Sequence, residues 1–144
     1  MNRLYTIGYQ GRGLSDVIHE LKVNGVQYLV DVRATPVSHK REFSKEHLRE
    51  AVEQNGISYM HIGALGSPQE LRNRLRLTGD LNSFFRSYEA YLRSHPELLR
   101  RVAEVMEKGT ICLICLEQRP QECHRQVIAS LLRRADASVR VKHL

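Results

Sequence analysis

No apolar stretch in this chain approaches the roughly 18–20 residues that a membrane-spanning helix needs. The opening residues, MNRLYTIGYQ, lack the long apolar core of a signal peptide. Cytoplasmic location and no membrane partner are therefore the expectations. Cysteine is scarce, with three in 144 residues. An odd count without an export signal argues against a disulfide framework, so reduced thiols are expected. The stretch GYQGRG has three glycines but not the G-x-G-x-x-G spacing, and no Gly-Lys-Ser/Thr is present. Neither a dinucleotide nor a nucleoside-triphosphate fingerprint is supported. No linker, low-complexity segment or solenoid repeat interrupts the chain. Its length suits one domain, 1–144, able to bury a sizeable core.

What is present is basic. Lys and Arg number 22 against 16 Asp and Glu, a net charge of +6. That surplus favours an anionic partner, either a phosphate-bearing small molecule or nucleic acid. A merely solubilising surface is the alternative. Hydrophobic residues make up 42%, which excludes a disordered chain.

The pattern alternates strand and helix. YTIGY reads as a short strand. GLSDVIHELKVNG is a helix with Leu14, Val17, Ile18 and Leu21 at i, i+3, i+4 and i+7, closed by Gly25. VQYLVDVR is a strand covered on both faces. A second helix runs from an N-cap at Ser44 to Asn55, with Phe43 placed to staple onto Leu48. ISYMHI follows as a strand. The junctions VNGVQYLV and QNGISYMH echo each other, each needing a left-handed glycine. From Gly63 to Asp80 periodicity is lost, and Arg72, Arg74 and Arg76 crowd the segment. LNSFFRSYEAYLRS is a helix whose aromatic stripe suits a core or a base-stacking platform, the core being commoner. Pro96 opens another helix. TICLICLE is the most apolar strand and is expected at the centre. QECHRQVIASLLRR is a helix and VRVKHL a closing strand. This order predicts an α/β fold: a single-domain three-layer sandwich with a mostly parallel five-stranded sheet and helices on both faces.

In open parallel sheets, ligands sit beyond the carboxyl ends of the strands. Unusual residues fall at those ends: Gly8 and Tyr9, then Asp31 and Arg33 with Ser38 beyond, then Tyr59 and His61, then Cys115 and Glu117, and finally His143. Each has a bland alternative. Asp31 and Arg33 share one strand face and can form a structural pair or a substrate clamp. His61 can be a satisfied core histidine or an acid–base group. Cys112 and Cys115 are spaced C-x-x-C, but an odd offset on a strand turns them to opposite faces. They are not expected to chelate one metal. Cys115, Cys123 and His124 give only three candidate ligands in no standard zinc spacing, so neither a metal nor a cofactor is assigned.

CLEQRPQECHR places two thiols, two carboxylates, two guanidiniums and an imidazole between two apolar runs. Pro120 suits the start of a helix, which would set Cys123, His124 and Arg125 in its first turn. Unpaired N–H groups there can hold an anion. A thiol in that position shifts toward thiolate. The alternative is that Cys123 packs inward and Arg125 pairs with Glu117 or Glu122.

The ordered set TIGY, DVRATPVS, FS, YMHIGALG, CLE followed by CHR, and terminal VKHL resembles the domain-of-unknown-function family 488 over nearly the whole chain. The resemblance implies a compact α/β domain of bacterial or archaeal cytosol. It marks Gly8, Tyr9, Asp31, Arg33, Pro36, Ser38, Tyr59, His61, Leu65, Gly66, Cys115, Glu117, Cys123, His124 and Arg125. Ser67 departs from the glycine expected after Gly66.

Three function classes follow, the third being a metal-binding protein. The first is an enzyme on a phosphate-bearing substrate, a nucleotide or nucleic acid. Cys123 would be nucleophile or acid, with Cys115 as second choice, and Glu117, Asp31 and His61 would orient or move protons. Gly8, Tyr9, Arg33, Ser38, His124 and Arg125 would bind the anion. The second is a non-catalytic nucleic-acid-binding module resting on the charge, the arginine-rich segment and the aromatic stripe.

Overall fold

A computed structural model describes residues 3–144; Met1 and Asn2 lie outside the described residues. Among the described residues, five strands form one all-parallel sheet: β1 (Arg3–Gly8), β2 (Tyr28–Asp31), β3 (Ser58–His61), β4 (Ile111–Cys115) and β5 (Arg140–His143). Their spatial order is β3-β2-β4-β1-β5, so the most apolar strand is central, as its composition predicts. Six helices flank the sheet: α1 (Leu14–Val23), α2 (Lys45–Glu53), α3 (Gln69–Thr78), α4 (Leu81–Arg93), α5 (Pro96–Lys108) and α6 (Arg125–Ala135). The expected α/β sandwich is the observed one.

Strand alternation builds two cores. Tyr5, Ile7, Leu29, Cys112 and Ile114 face α1 and α2, through Val17, Leu21, Leu48 and Val52. Leu4, Val30, Ile111, Leu113 and Cys115 face α4, α5 and α6. Cys112 and Cys115 thus point to opposite sides of the sheet, as their odd offset requires. Gly25 and Gly56, which lead into β2 and β3, are both left-handed, with φ of 70° and 78°.

Two local differences from the sequence reading, in α3 and at the start of α6, have physical causes, and the aromatic stripe follows the commoner of its two readings. The segment after Gly63 holds α3, which buries no residue completely. Leu71 and Leu75 are half-buried, too weak a stripe to stand out. The aromatic stripe of α4 is core at Tyr88 and Leu92. The last helix starts at Arg125, not Pro120. Pro120–Glu122 form a single 3-10 turn, and Cys123 is extended with φ −123° and ψ 142°. That extension carries the Cys123 side chain into the core, where it is 1% exposed.

Main-chain pairing continues past the strand ends and shapes the rim. Tyr9 N–H donates to Cys115 O at 3.1 Å and Gln10 N–H to Leu116 O at 2.8 Å. Val32 N–H donates to Ile114 O at 3.2 Å. Gly8 sits under Glu117, and a Cβ there would overlap the Glu117 carbonyl oxygen. Glycine at position 8 is needed for this close backbone approach, not for an unusual dihedral.

Candidate functional site

The hub of the rim is Asp31-Val32-Arg33, where β2 ends. Asp31 and Arg33 lie on the α1/α2 side and form a bidentate pair: Nε donates to Oδ1 at 2.8 Å and Nη2 to Oδ2 at 2.7 Å. Tyr59 O–H donates to Asp31 Oδ2 at 2.5 Å, and the Arg33 N–H to Oδ1 at 3.2 Å. Arg33 Nη1 donates to Phe43 O at 2.7 Å and to the Tyr9 hydroxyl at 3.3 Å. Tyr9 stacks on Phe43 with ring centroids 4.4 Å apart. Asp31 is wholly buried and Arg33 nearly so. Burial pulls the Arg33 pKa down, but the hydrogen bonds and charge of Asp31 outweigh it, and the proton is held more tightly than usual. Burial and the adjacent Asp31 charge push the Tyr59 hydroxyl above its ordinary range. This cation is largely committed to its own protein, with little left for a ligand.

Two histidines bind the main chain of the same hub. His61 Nε2 donates to Arg33 O at 2.8 Å, and His124 Nε2 donates to Val32 O at 2.8 Å. A carbonyl oxygen can only accept, so each Nε2 carries the proton. Burial drives the His124 pKa down to about 4, against the opposing pull of the Val32 carbonyl. The neutral ring therefore keeps a lone pair on Nδ1, which stands 3.7 Å from Cys123 Sγ. Tyr88 packs edge-on against the imidazole at 5.3 Å between centroids.

Across the sheet from the Asp31 pair, Cys115 and Cys123 meet. Three reduced thiols were expected; here the Cys115 and Cys123 sulfurs are set at bonding distance, with α-carbons 7.6 Å apart, and Cys112 is the free thiol among the described residues. Compartment arguments rank the redox state of a thiol but do not show that the loop from 116 to 122 folds back to bring two sulfurs together. Burial raises the pKa of the Cys112 thiol well beyond the usual range, so it is inert. Cys115 Sγ also lies 3.4 Å from Glu117 Oε2.

Arg125 is completely buried. Its Nη1 donates to Glu117 O at 2.5 Å and to Cys115 Sγ at 3.4 Å, and its Nη2 to Gln118 O at 3.1 Å. Its Nε has no hydrogen-bond partner among the described residues. Burial lowers its pKa, yet a guanidinium stays charged.

These groups border a cleft of about 370 Å³ beyond the carboxyl ends of β1, β2 and β4. Tyr9, Arg33, Cys115, Glu117 and His124 line it, together with Ser67, Arg72, Arg76, Phe84 and Glu122. A larger groove of about 530 Å³ runs between α6 and β5, past Arg133, Arg134 and His143. Of the strand-end residues singled out in the sequence it takes in His143 alone, at the end of the edge strand β5.

The family model described as Domain of unknown function DUF488 matches residues 13–132. The chain belongs to the DUF488 family. No curated protein and no solved structure matches it.

Of the predicted residues, this DUF488 domain brings Tyr9, Arg33, Cys115, Glu117 and His124 to one cleft. Asp31 and His61 stand behind Arg33, and Cys123 stands behind Cys115 and His124. Gly8 is covered by Glu117. Ser38 accepts from Lys40 N–H at 3.1 Å and does not border the cleft. Arg125 reaches the loop carbonyls and not the cleft surface. His143 bonds Thr6 Oγ1 at 2.5 Å, away from the cleft. Arg72 and Arg76 are the cleft cations that strand-end reasoning missed. Their i, i+4 spacing, which sets both on one helix face, was the available signal.

Proposed function

We propose that the protein is an enzyme acting on a phosphate-bearing substrate of nucleotide size, bound in the cleft beyond β1, β2 and β4. The observation that carries this reading is the mixed lining of the cleft. Arg72 and Arg76 of α3 border the same space as Cys115, Glu117 and His124. Arg72 bonds Ser67 O and Gln69 Oε1 but no carboxylate. Among the described residues Arg76 has no hydrogen-bond or ion-pair partner. These two guanidiniums, not the Asp31-bound Arg33, are suited to a phosphate. The cleft volume falls within the range of small-ligand pockets, about 300–1,000 Å³. The phosphate sits toward α3, and the reacting part of the substrate faces the Cys115, Glu117 and His124 corner.

Calorimetric titration tests this. A nucleoside 5′-monophosphate is expected to bind at least about tenfold more tightly than its parent nucleoside, the worth of one charge-assisted hydrogen bond. Arg76→Glu is expected to remove that preference. Equal affinity for both ligands, or a preference that survives Arg76→Glu, overturns the reading.

A second reading, a nucleic-acid-binding module without chemistry, draws on the groove bordered by Arg133 and Arg134. It predicts affinity for single-stranded DNA or RNA that falls steeply with salt and is lost in the Arg133→Glu, Arg134→Glu double variant.

A further inference from the structure

Cys115 Sγ, Cys123 Sγ and an imidazole nitrogen of His124 lie within 4.8 Å of one another beside the cleft. We infer that the reduced pair, with His124, forms a binding site for one zinc-type divalent ion, with a fourth position open toward Glu117 and the cleft. The inference concerns this corner alone and holds whatever substrate the cleft accepts.

Several independent features point to an ion. His124 donates its Nε2 proton to Val32 O at 2.8 Å, so its tautomer is fixed with the Nδ1 lone pair toward the sulfurs. A metal-binding histidine is usually oriented in this way by a carbonyl or carboxylate. The ring is held on its other side by Tyr88. Cys115 and Cys123 have α-carbons 7.6 Å apart. Disulfides usually span about 4.4–6.8 Å. A tetrahedral ion with metal–sulfur bonds of about 2.3 Å sets two sulfurs roughly 3.8 Å apart and their α-carbons correspondingly wider.

Charge points the same way. Arg125 is a fully buried cation with no carboxylate within ion-pair distance among the described residues, and its Nη1 donates to Cys115 Sγ at 3.4 Å. Two thiolates balance a divalent ion, and Glu117 balances Arg125. The corner is then neutral as a whole. Two thiolates and an imidazole suit zinc better than magnesium or calcium, which prefer oxygen. Three protein ligands with an open fourth position are the arrangement of catalytic zinc sites.

The disulfide and the ion exclude each other. Two electrons from an added phosphine, which becomes the phosphine oxide, and two protons convert the disulfide into two thiols. Binding the ion then releases both thiol protons to solvent.

The experiment uses the whole protein, reduced with a phosphine, desalted without oxygen and titrated with Co²⁺. No nucleotide is present, so failure here is separate from failure of the proposed substrate. The expected result is one ion per chain, with thiolate-to-cobalt charge-transfer absorption that is bleached by Zn²⁺. Cys123→Ser and His124→Ala are expected to lose the band, with folding checked by circular dichroism. Cys112→Ser is expected to retain it, because Cys112 faces the other core. Should those variants not fold, alkylation of the wild-type protein decides. Zn²⁺ should slow labelling of Cys115 and Cys123 at least about tenfold. No charge-transfer band in the reduced wild-type protein, or unchanged alkylation with Zn²⁺, overturns the inference and leaves the pair as a redox couple.

Discussion

Arg33→Met keeps the side-chain stem and removes the cation, and its consequences can be worked from the contacts. Asp31 is wholly buried and accepts two bonds from the guanidinium, at 2.7 and 2.8 Å. After the substitution its carboxylate retains the Tyr59 hydroxyl and one main-chain N–H. Phe43 O and the Tyr9 hydroxyl each lose a donor. Removing one partner of a buried pair costs about 3–5 kcal/mol, because the other charge stays buried and uncompensated. In a chain of this size, that lowers the melting temperature by about 6–20 °C. Asp31→Asn strands the cation and should cost a similar amount. The double variant removes both charges and should cost at least about 2 kcal/mol less than the two single effects together. Urea unfolding of all four proteins measures the cycle. A loss under about 1 kcal/mol in Arg33→Met, with an additive double variant, refutes the view that this pair organises the rim.

Gly8→Ala forces a methyl group into the Glu117 carbonyl. It should cost more than about 2 kcal/mol in chemical denaturation and weaken ligand binding, since the same loop borders the cleft; near-wild-type stability contradicts the close approach. Tyr88→Phe removes the hydroxyl donor to Leu65 O. A loss of about 1–2 kcal/mol is expected in thermal unfolding, and no loss means that the carbonyl finds another donor.

Most of the fold was legible because its signals are periodic. The run ICLIC identifies a fully covered strand, and its parity alone sends Cys112 and Cys115 to different cores. The glycines that introduce β2 and β3 are visible in two matching junctions. α3 was not legible, because a helix that buries no residue completely carries little apolar period. The rim was legible as a set of positions, but the partners of each residue were not. Arg33 and Arg125 look alike as cations at strand and helix ends. One is taken by Asp31, and the other is turned inward to the carbonyls of Glu117 and Gln118. The first pairing was one of two options open in the i, i+2 spacing; the second depends on how an eight-residue separation between Cys115 and Cys123 folds back, which no local pattern encodes.

No helix among the described residues is long and apolar enough to cross a membrane. Backbone amide chemical-shift mapping with a nucleoside 5′-monophosphate locates the ligand. Shifts are expected to concentrate at Thr35, Ser67, Arg72, Arg76 and Glu117 and to be abolished by Arg76→Glu. Shifts confined to the α6/β5 groove, or none at millimolar ligand, would contradict binding in the cleft.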